Sequence, residues 1–259
     1  MLLMIVFCAA GALLTGLWYL LWPALSPWWI PLLLIGGYAA VAVLFFVGVA
    51  VASLFLPKEE GGPHREPVRR VIVAALQWAL LMLGYRVTLT GRDQLPDRPF
   101  LLVCNHLSAF DPIVKLAAMP ERRMAFVSKP ENMAIPVAGP FLRAASFLSI
   151  DRDSARNAVA TVRRAAEFIT DRKLCMGIYP EGTRSKTGKL LEFRSGAFKI
   201  AQMAHCPVVV MSVRYGRRRL WHKPVTLRVL EVMDEAQVAE NRTAVISERA
   251  HALIAADGE

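Results

Sequence analysis

The first 57 residues contain no Lys, Arg, Asp, Glu or His, so every charged side chain of the chain follows Pro57. Two apolar runs fill this stretch, residues 1–22 and 28–56, with a break that contains Pro23 and Pro27. A helix needs about 20 apolar residues to cross the hydrocarbon core of a bilayer, and both runs reach that length. Aromatic residues surround the break, as at a water–bilayer interface: Trp18, Tyr19, Trp22, Trp28 and Trp29. The sequence therefore predicts a transmembrane hairpin of two helices over residues 1–57.

A cleavable signal peptide is the alternative for the first run. No basic segment precedes that run, however, and a second long apolar run follows it, which favours the hairpin. Basic residues then crowd the exit of the second run: Lys58, His64, Arg65, Arg69 and Arg70. The positive-inside rule places this end in the cytoplasm, and two spans would return the N-terminus to the same side.

The remainder carries the whole formal net charge of +10. Residues 58–67 are predicted to be a linker because glycine and proline interrupt any helix there, and residues 68–85 are predicted to form an interfacial or core helix. Residues 86–259 alternate between strand and helix patterns, which predicts an α/β domain with a mixed sheet flanked by helices. The predicted strands are 86–90, 100–105, 124–128, 147–151, 174–179, 208–215 and 226–232, and the clearest predicted helices are 155–172, 193–206 and 234–256.

Cysteine usage argues against both disulfides and zinc. The four cysteines, Cys8, Cys104, Cys175 and Cys206, are scattered and never form a C-x-x-C pair. Such spacing is typical of buried thiols in a reducing compartment. We expect no metal site.

One polar cluster follows the predicted strand 100–105, where ligands often bind in α/β sheets: Asn105, His106 and, five residues later, Asp111. A neutral His106 imidazole can take a proton from a hydroxyl group, and a carboxylate at Asp111 can fix its orientation. The alternative is structural, because Asp111-Pro112 before an apolar run is also a typical helix start, with Asp111 as the N-cap.

A second polar cluster, Tyr179-Pro180-Glu181-Gly182-Thr183-Arg184-Ser185, also follows a predicted strand. Gly182 permits a tight turn, and the planar guanidinium of Arg184 suits a phosphate group. The alternative is a polar turn in which Glu181 and Arg184 pair with each other. No G-x-x-x-x-G-K-[ST] or G-x-S-x-G motif occurs, which excludes a P-loop and a serine esterase elbow.

Together, in this order and at this spacing, the two clusters resemble the glycerolipid acyltransferase superfamily, and most of all the bacterial 1-acyl-sn-glycerol-3-phosphate acyltransferases. Residues 146–152 are similar to a middle motif of that family, with Ser146 and Ser149 in place of its Gly and Phe. Residues 206–210 are similar to its last motif, with Val210 in place of a Pro. The resemblance covers residues 83–231.

The resemblance implies that His106 is the general base and Asp111 its partner. It implies that Lys129, Arg152, Glu181, Gly182, Thr183, Arg184 and Arg194 form the site of the acceptor's phosphate, with Glu181 orienting one of the basic side chains, and that Asn105 supports the His106 turn. A surface position at the start of a helix is the alternative for Arg194. The acyl donor would be acyl-CoA or acyl-acyl carrier protein, with no further cofactor.

The implied acceptor is a lysolipid, 1-acyl-sn-glycerol-3-phosphate, and the implied location is the cytoplasmic face of a bacterial inner membrane. Alternatives are another acceptor, such as a different lysophospholipid, a lyso-ornithine lipid or a lipid A-type precursor, and a non-catalytic scaffold of the same fold. The helix 68–85 and the basic run 217–223 are expected to face anionic membrane lipids. The run also suits an acidic acyl carrier protein or a solvated loop, and no nucleic-acid-binding module is recognisable.

Overall fold

The computed structural model of the chain describes residues 2–23, 26–57, 59–60, 65–151, 154–185, 187–217 and 219–258. The α-helices are α1 (Leu2–Leu21), α2 (Ile30–Ser53), α3 (Glu66–Met82), α4 (Asp111–Ala118), α5 (Pro130–Met133), α6 (Ala138–Ala144), α7 (Ala155–Thr170), α8 (Lys199–Ala204), α9 (Glu235–Glu240) and α10 (Thr243–Gly258). The strands are β1 (Tyr85–Thr90), β2 (Leu101–Cys104), β3 (Met124–Ser128), β4 (Leu148–Ser149), β5 (Cys175–Ile178), β6 (Val208–Tyr215) and β7 (Lys223–Met233).

Helices α1 and α2 approach closely because two glycines meet at their contact. A Cβ atom added at Gly11 would lie 2.8 Å from the backbone nitrogen of Tyr38, and one at Gly37 would lie 3.0 Å from the carbonyl oxygen of Gly11. Phe7 is buried between α1, α2 and α3, where its ring meets three others edge-on: Tyr38, Phe45 and Trp78. The Trp78 indole also donates a hydrogen bond of 2.7 Å to the hydroxyl of Tyr38. The first three helices therefore form one packed unit.

Among the described residues, one helix is long and apolar enough to cross a membrane, α2 (Ile30–Ser53). The apolar segment Ile5–Leu21 of α1 is shorter. A span by α2 agrees with the sequence prediction, whereas a hairpin in which both helices span stays a prediction.

Helix α3 is held to the domain by Arg69. Its guanidinium donates to the Glu66 carboxylate at 2.7 and 2.9 Å and to the carbonyl oxygens of Pro120 at 2.9 Å and Arg122 at 3.2 Å. Arg69 is therefore buried and satisfied by protein groups, while the expected contact of this helix with anionic lipids stays a prediction. Arg70 remains exposed and pairs with the same Glu66.

The seven strands form a mixed sheet flanked by helices, as the sequence predicted, and their order is β1-β7-β6-β2-β5-β3-β4. Strands β2 to β6 run parallel to one another, while β7 is antiparallel to β6 and β1 is parallel to β7. As a result, the carboxyl ends of β2, β5 and β6 and the amino ends of β1 and β7 lie at one edge of the sheet. Strands β2 and β5 are buried along their whole length, as expected for parallel strands covered by helices on both faces.

Three predicted elements differ most from the sequence prediction, while several others differ by one or two residues at their ends. Strand β4 keeps two residues of the predicted 147–151. The predicted helix 193–206 starts as a 3-10 turn over Ser195–Phe198, since serine and glycine are weak helix formers, and becomes regular in α8. The predicted helix 234–256 is divided between α9, which begins with an Asp234–Gln237 capping box, and α10, because Asn241 adopts an extended backbone.

Candidate active site

Three polar segments meet at the edge described above, each at the carboxyl end of a parallel strand. Residues 105–111 follow β2, residues 179–185 follow β5, and Tyr215 ends β6. The segments are tied together by backbone hydrogen bonds, among them Ser185 N–H to the carbonyl of His106 at 2.9 Å. The topology of the sheet thus brings both sequence clusters to one place.

His106 and Asp111 form a hydrogen-bonded pair. The His106 Nδ1 atom lies 2.7 Å from Asp111 Oδ2, and the same oxygen accepts the backbone N–H groups of Leu107 at 2.7 Å and Ser108 at 2.8 Å. The other oxygen, Oδ1, accepts the hydroxyl of Tyr215 at 2.7 Å. Asp111 is fully buried, while the His106 side chain keeps 17% of its surface exposed. The carboxylate is therefore enclosed, and the imidazole reaches the surface.

The environment of Asp111 favours its charged form. Burial alone would raise the pKa of this carboxyl group, but the His106 hydrogen bond, the charge of Lys115 and the bonds from Ser108 and Tyr215 together hold the pKa below its ordinary value. Burial and the Asp111 charge raise the pKa of Tyr215, which keeps its hydroxyl as a hydrogen-bond donor. Asp111 is thus a fixed carboxylate at neutral pH.

Asp111 does not cap the helix that it begins. It is the first residue of α4, Phe110 occupies the N-cap position, and no side-chain cap bond is made there. Its carboxylate turns back onto the amides of Leu107 and Ser108 instead. The helix-cap reading of Asp111 is therefore wrong, because the groups that it satisfies belong to the loop before the helix.

The pair is supported by two residues that the sequence did not single out, Lys115 and Tyr215, and by Tyr179 of the second cluster. Lys115 is fully buried, with its Nζ atom 3.4 Å from the carbonyl of Asp111 and 3.5 Å from the hydroxyl of Tyr179. The Tyr179 ring stacks on the His106 ring at 4.1 Å between centroids. In the sequence, Lys115 is visible as a lysine one helical turn after Asp111 within an apolar run. Tyr215 is visible only as the last residue of a predicted strand.

Asn105 and Glu181 hold the backbone of the His106 turn. The Asn105 side chain bonds both the carbonyl and the N–H of Val213 in β6, at 3.1 and 2.8 Å. The Glu181 carboxylate accepts the backbone N–H of His106 at 2.5 Å and that of Leu191 at 3.1 Å, and burial raises its pKa despite those two bonds. The support by Asn105 agrees with the expectation. The expectation that Glu181 orients a basic side chain is corrected, since its contacts are backbone amides.

The expected phosphate-binding residues lie around this turn and at one more distant position. Gly182 has a φ of 74°, and a Cβ atom added there would lie 3.0 Å from Arg194 Nε, so the Arg194 guanidinium packs against the turn. Thr183 and Arg184 are exposed beside it, and Lys129 is exposed at the start of α5. Arg152 lies outside the described residues. Ser185 Oγ is buried and has no hydrogen-bond partner among the described residues.

Within the described residues, no group of three His, Cys, Asp or Glu side chains is placed to hold a metal ion.

Ser146, which replaces the glycine of the family motif, is buried and has a φ of 66°, in the region that glycine adopts most easily. The backbone of the middle motif therefore keeps the conformation expected for glycine.

Residues 86–214, which contain the carboxylate–imidazole pair at the edge of the mixed sheet, match the model of a family described as Acyltransferase. The chain is 29% identical over 186 residues to the 1-acyl-sn-glycerol-3-phosphate acyltransferase of Cocos nucifera, which covers 69% of this chain and 58% of the relative. It is also 29% identical over 231 residues to the beta form of that enzyme from Homo sapiens, covering 82% of each protein. The chain spans about half the length of several of the curated relatives that it matches.

Among solved structures, the chain shares its fold with the 1-acyl-sn-glycerophosphate acyltransferase of Thermotoga maritima. The TM-score is 0.63 at 24% sequence identity, with 85% of this chain and 90% of that chain covered.

Proposed function

We propose that the protein transfers an acyl chain from acyl-CoA or acyl-acyl carrier protein to the free hydroxyl of 1-acyl-sn-glycerol-3-phosphate, giving phosphatidic acid in phospholipid biosynthesis. The observation that carries the proposal is the enclosed Asp111 carboxylate bonded to His106 Nδ1 at 2.7 Å. The names of the relatives supply the acceptor.

The pair supports general-base catalysis. The Asp111 carboxylate selects the tautomer with the proton on Nδ1, which leaves the lone pair of Nε2 for the substrate hydroxyl. As His106 takes that proton, the hydroxyl oxygen attacks the thioester carbonyl and forms the ester bond. The carbon–sulfur bond then breaks, and the leaving thiolate receives the proton from His106. Asp111 stays ionised throughout and stabilises the imidazolium that forms.

Phosphate recognition is assigned to the turn after β5. Arg194 and Arg184 flank Gly182 on the surface beside His106, and Lys129 and Arg152 add cations by resemblance to the family. Glu181 acts indirectly, because its bond to the His106 amide ties the position of the base to that of the phosphate-binding turn.

The proposed location is the bacterial inner membrane, with residues 1–57 embedded as a hairpin, residues 58–85 as the connection, and residues 86–259 as the acyltransferase domain in the cytoplasm. The apolar surface of α1 and α2 supports this, since large side chains such as Leu13, Leu20 and Leu44 are at least 69% exposed. We expect the full chain to stay with membranes during an alkaline carbonate wash. Complete extraction would contradict integral insertion.

The reaction is tested with purified full-length protein, one labelled acyl-CoA and a panel of lysolipids, repeated with acyl-acyl carrier protein as donor. We expect transfer to 1-acyl-sn-glycerol-3-phosphate and a loss of about 10³-fold in His106→Asn, because a general base is worth roughly that factor. The control is His205→Asn, an exposed histidine at the end of α8. Preference for another lysolipid would change the acceptor. Retained turnover in His106→Asn would contradict the role of the base, and no transfer by the unaltered protein would contradict the enzyme.

A further inference from the structure

The hairpin between β6 and β7, of which the structure describes residues 216–217 and 219–222, presents two large apolar side chains at its tip. Leu220 is 79% exposed and Trp221 is 72% exposed. Backbone bonds between Arg219 and His222, at 2.9 and 3.2 Å, close a tight turn with these two residues at its centre. Turn centres ordinarily hold Gly, Asn or Asp, so the turn itself gives no reason for Leu and Trp.

The charges around the tip are all of one sign. Arg217 and Arg219 are exposed, Lys223 is half-buried, and residues 213–228 contain no Asp or Glu. Among the described residues, no carboxylate forms an ion pair with Arg217, Arg219 or Lys223. An apolar tip that includes an indole, surrounded by cations that have no carboxylate partner among the described residues, matches the chemistry of a bilayer interface with anionic headgroups.

The hairpin is fixed beside the candidate active site. It begins after Tyr215, whose hydroxyl bonds Asp111, and so it leaves the sheet at the same edge as His106. On its other side, Lys223 N–H donates to the carbonyl of Gly84 at 2.8 Å, and its Nζ atom lies 5.4 Å from the centre of the Tyr85 ring. That ring stacks on Phe110, the residue before Asp111, at 5.4 Å.

The hairpin is also close to the apolar helices. A Cβ atom added at Gly84 would lie 2.9 Å from the backbone of Trp221, so the turn after α3 and the hairpin tip are in direct contact. Two residues earlier, Met82 Sδ accepts the hydroxyl of Tyr38 in α2 at 3.6 Å. Met82 and Leu83 are themselves 37% and 44% exposed. The apolar surface of α2 and the hairpin tip thus meet at the end of α3.

We propose that the β6–β7 hairpin is a second membrane contact, in which Leu220 and Trp221 enter the interface of an anionic bilayer while Arg217, Arg219 and Lys223 bind its headgroups. This contact holds the edge of the sheet that carries His106 against the lipid surface. An acidic acyl carrier protein would use the same cations, but it gives no reason for two exposed apolar side chains at the tip of the turn. The inference does not depend on the acyl-transfer reaction.

The test places a fluorescent probe at the tip in the full chain. Leu220→Cys is made in a Cys8→Ser background and labelled with an environment-sensitive nitrobenzoxadiazole dye; Cys104, Cys175 and Cys206 are buried and stay unlabelled. The protein is reconstituted into vesicles of phosphatidylcholine with or without phosphatidylglycerol, and lipids with a spin label near the headgroup act as quenchers. The matched control is Val245→Cys, which is exposed near the start of α10, beyond the far end of β7.

We expect the probe at position 220 to be quenched, more strongly when phosphatidylglycerol is present, and the probe at position 245 to be unaffected. Replacing Arg217 or Arg219 by Gln should lower the ratio of docked to free hairpin about fivefold each. Absent quenching at position 220, or equal quenching at both positions, would overturn the proposal. A probe that ignores lipid but responds to added acyl carrier protein would assign the hairpin to that partner instead and would also overturn it.

Discussion

The chemistry of the candidate site depends on how Asp111 is satisfied. A buried carboxylate is costly unless its oxygens accept hydrogen bonds, and this one accepts four from the imidazole, two backbone amides and the Tyr215 hydroxyl. Three of these donors are local, but Tyr215 arrives from another strand. The Asp111 carboxylate thereby connects the loop 105–111, the His106 imidazole and strand β6.

At the scale of single residues, the charge of Lys115 makes a testable contribution to the pKa of Asp111. Its buried charge helps to hold the pKa of Asp111 below the ordinary value. In Lys115→Met the carboxyl group loses that support and binds a proton at higher pH, and a protonated Asp111 no longer holds the His106 tautomer. We therefore expect kcat/KM to be lost at a higher pH on the acid side than in the unaltered protein.

The same change should alter stability with a defined sign. A carboxyl group with a lowered folded-state pKa stabilises the protein above its unfolded-state pKa, and the contribution is lost as pH falls through the folded-state value. Lys115→Met should therefore become unstable in acid sooner than the unaltered protein. Lys199→Met, which removes an exposed charge from α8, is the control. Coinciding pH profiles for Lys115→Met and the unaltered protein would show that the buried lysine has no such role.

The sequence identified the His106–Asp111 pair better than the residues that contact it. His106 and Asp111 are five residues apart, so one motif reveals both. Lys115 is visible as a single charge in an apolar run, but the sequence does not show what it contacts, and Tyr215 is 104 positions from Asp111. Glu181 was placed in the correct turn but given the wrong contacts, because a carboxylate can satisfy backbone amides as well as basic side chains.

At the scale of elements, the turn after β5 depends on Gly182. Its φ of 74° disfavours any residue with a Cβ atom, and that atom would also press on Arg194 Nε. Gly188, in the loop that follows, has a φ of 77° with no neighbour within 4 Å of the added atom. A substitution at either glycine strains the backbone, but only one at Gly182 also displaces Arg194. Comparing the two therefore separates the effect of backbone strain from the effect of moving Arg194.

We expect Gly182→Ala and Gly188→Ala each to lower the free energy of unfolding by about 1 kcal/mol, the usual cost of a left-handed backbone for a residue with a side chain. Only Gly182→Ala should raise KM for 1-acyl-sn-glycerol-3-phosphate, because it moves a proposed phosphate ligand. Steady-state kinetics with varied acceptor would decide this. Equal KM values for the two variants would argue against phosphate binding by Arg194.

Element boundaries were predictable where a single pattern decided them. Strands β3 and β6 match the predicted ranges because each is an apolar run with clear ends. The helices after β5 and β7 were predicted as single units because local breaks at Gly196 and Asn241 do not interrupt their apolar periodicity. Sheet order was not predictable, since it joins segments as distant as β1 and β7.

At the scale of the whole molecule, helices α1 and α2 pack against α3 and are not joined to the sheet domain through the linker alone. Phe7 of α1 contacts Trp78 of α3, Trp78 bonds Tyr38 of α2, and α3 leads directly through Gly84 into β1. A change in the contact of α1 with α2 is thus expected to reach the edge of the sheet that carries His106.

Two glycines of α1 test this connection. At Gly11 an added methyl group would lie 2.8 Å from the Tyr38 backbone, whereas at Gly16 nothing lies within 4 Å. Alanine favours a helix over glycine by about 1 kcal/mol, so Gly16→Ala should keep or raise the midpoint of thermal unfolding in detergent. Gly11→Ala should lower the midpoint despite the same gain in helix propensity, because backbone atoms cannot yield to the methyl group. If Gly11→Ala lowers both the unfolding midpoint and acyl transfer while Gly16→Ala lowers neither, the packing of α1 on α2 supports the edge of the sheet that carries His106. Equal midpoints for both variants would mean that the two helices are not in the close contact described.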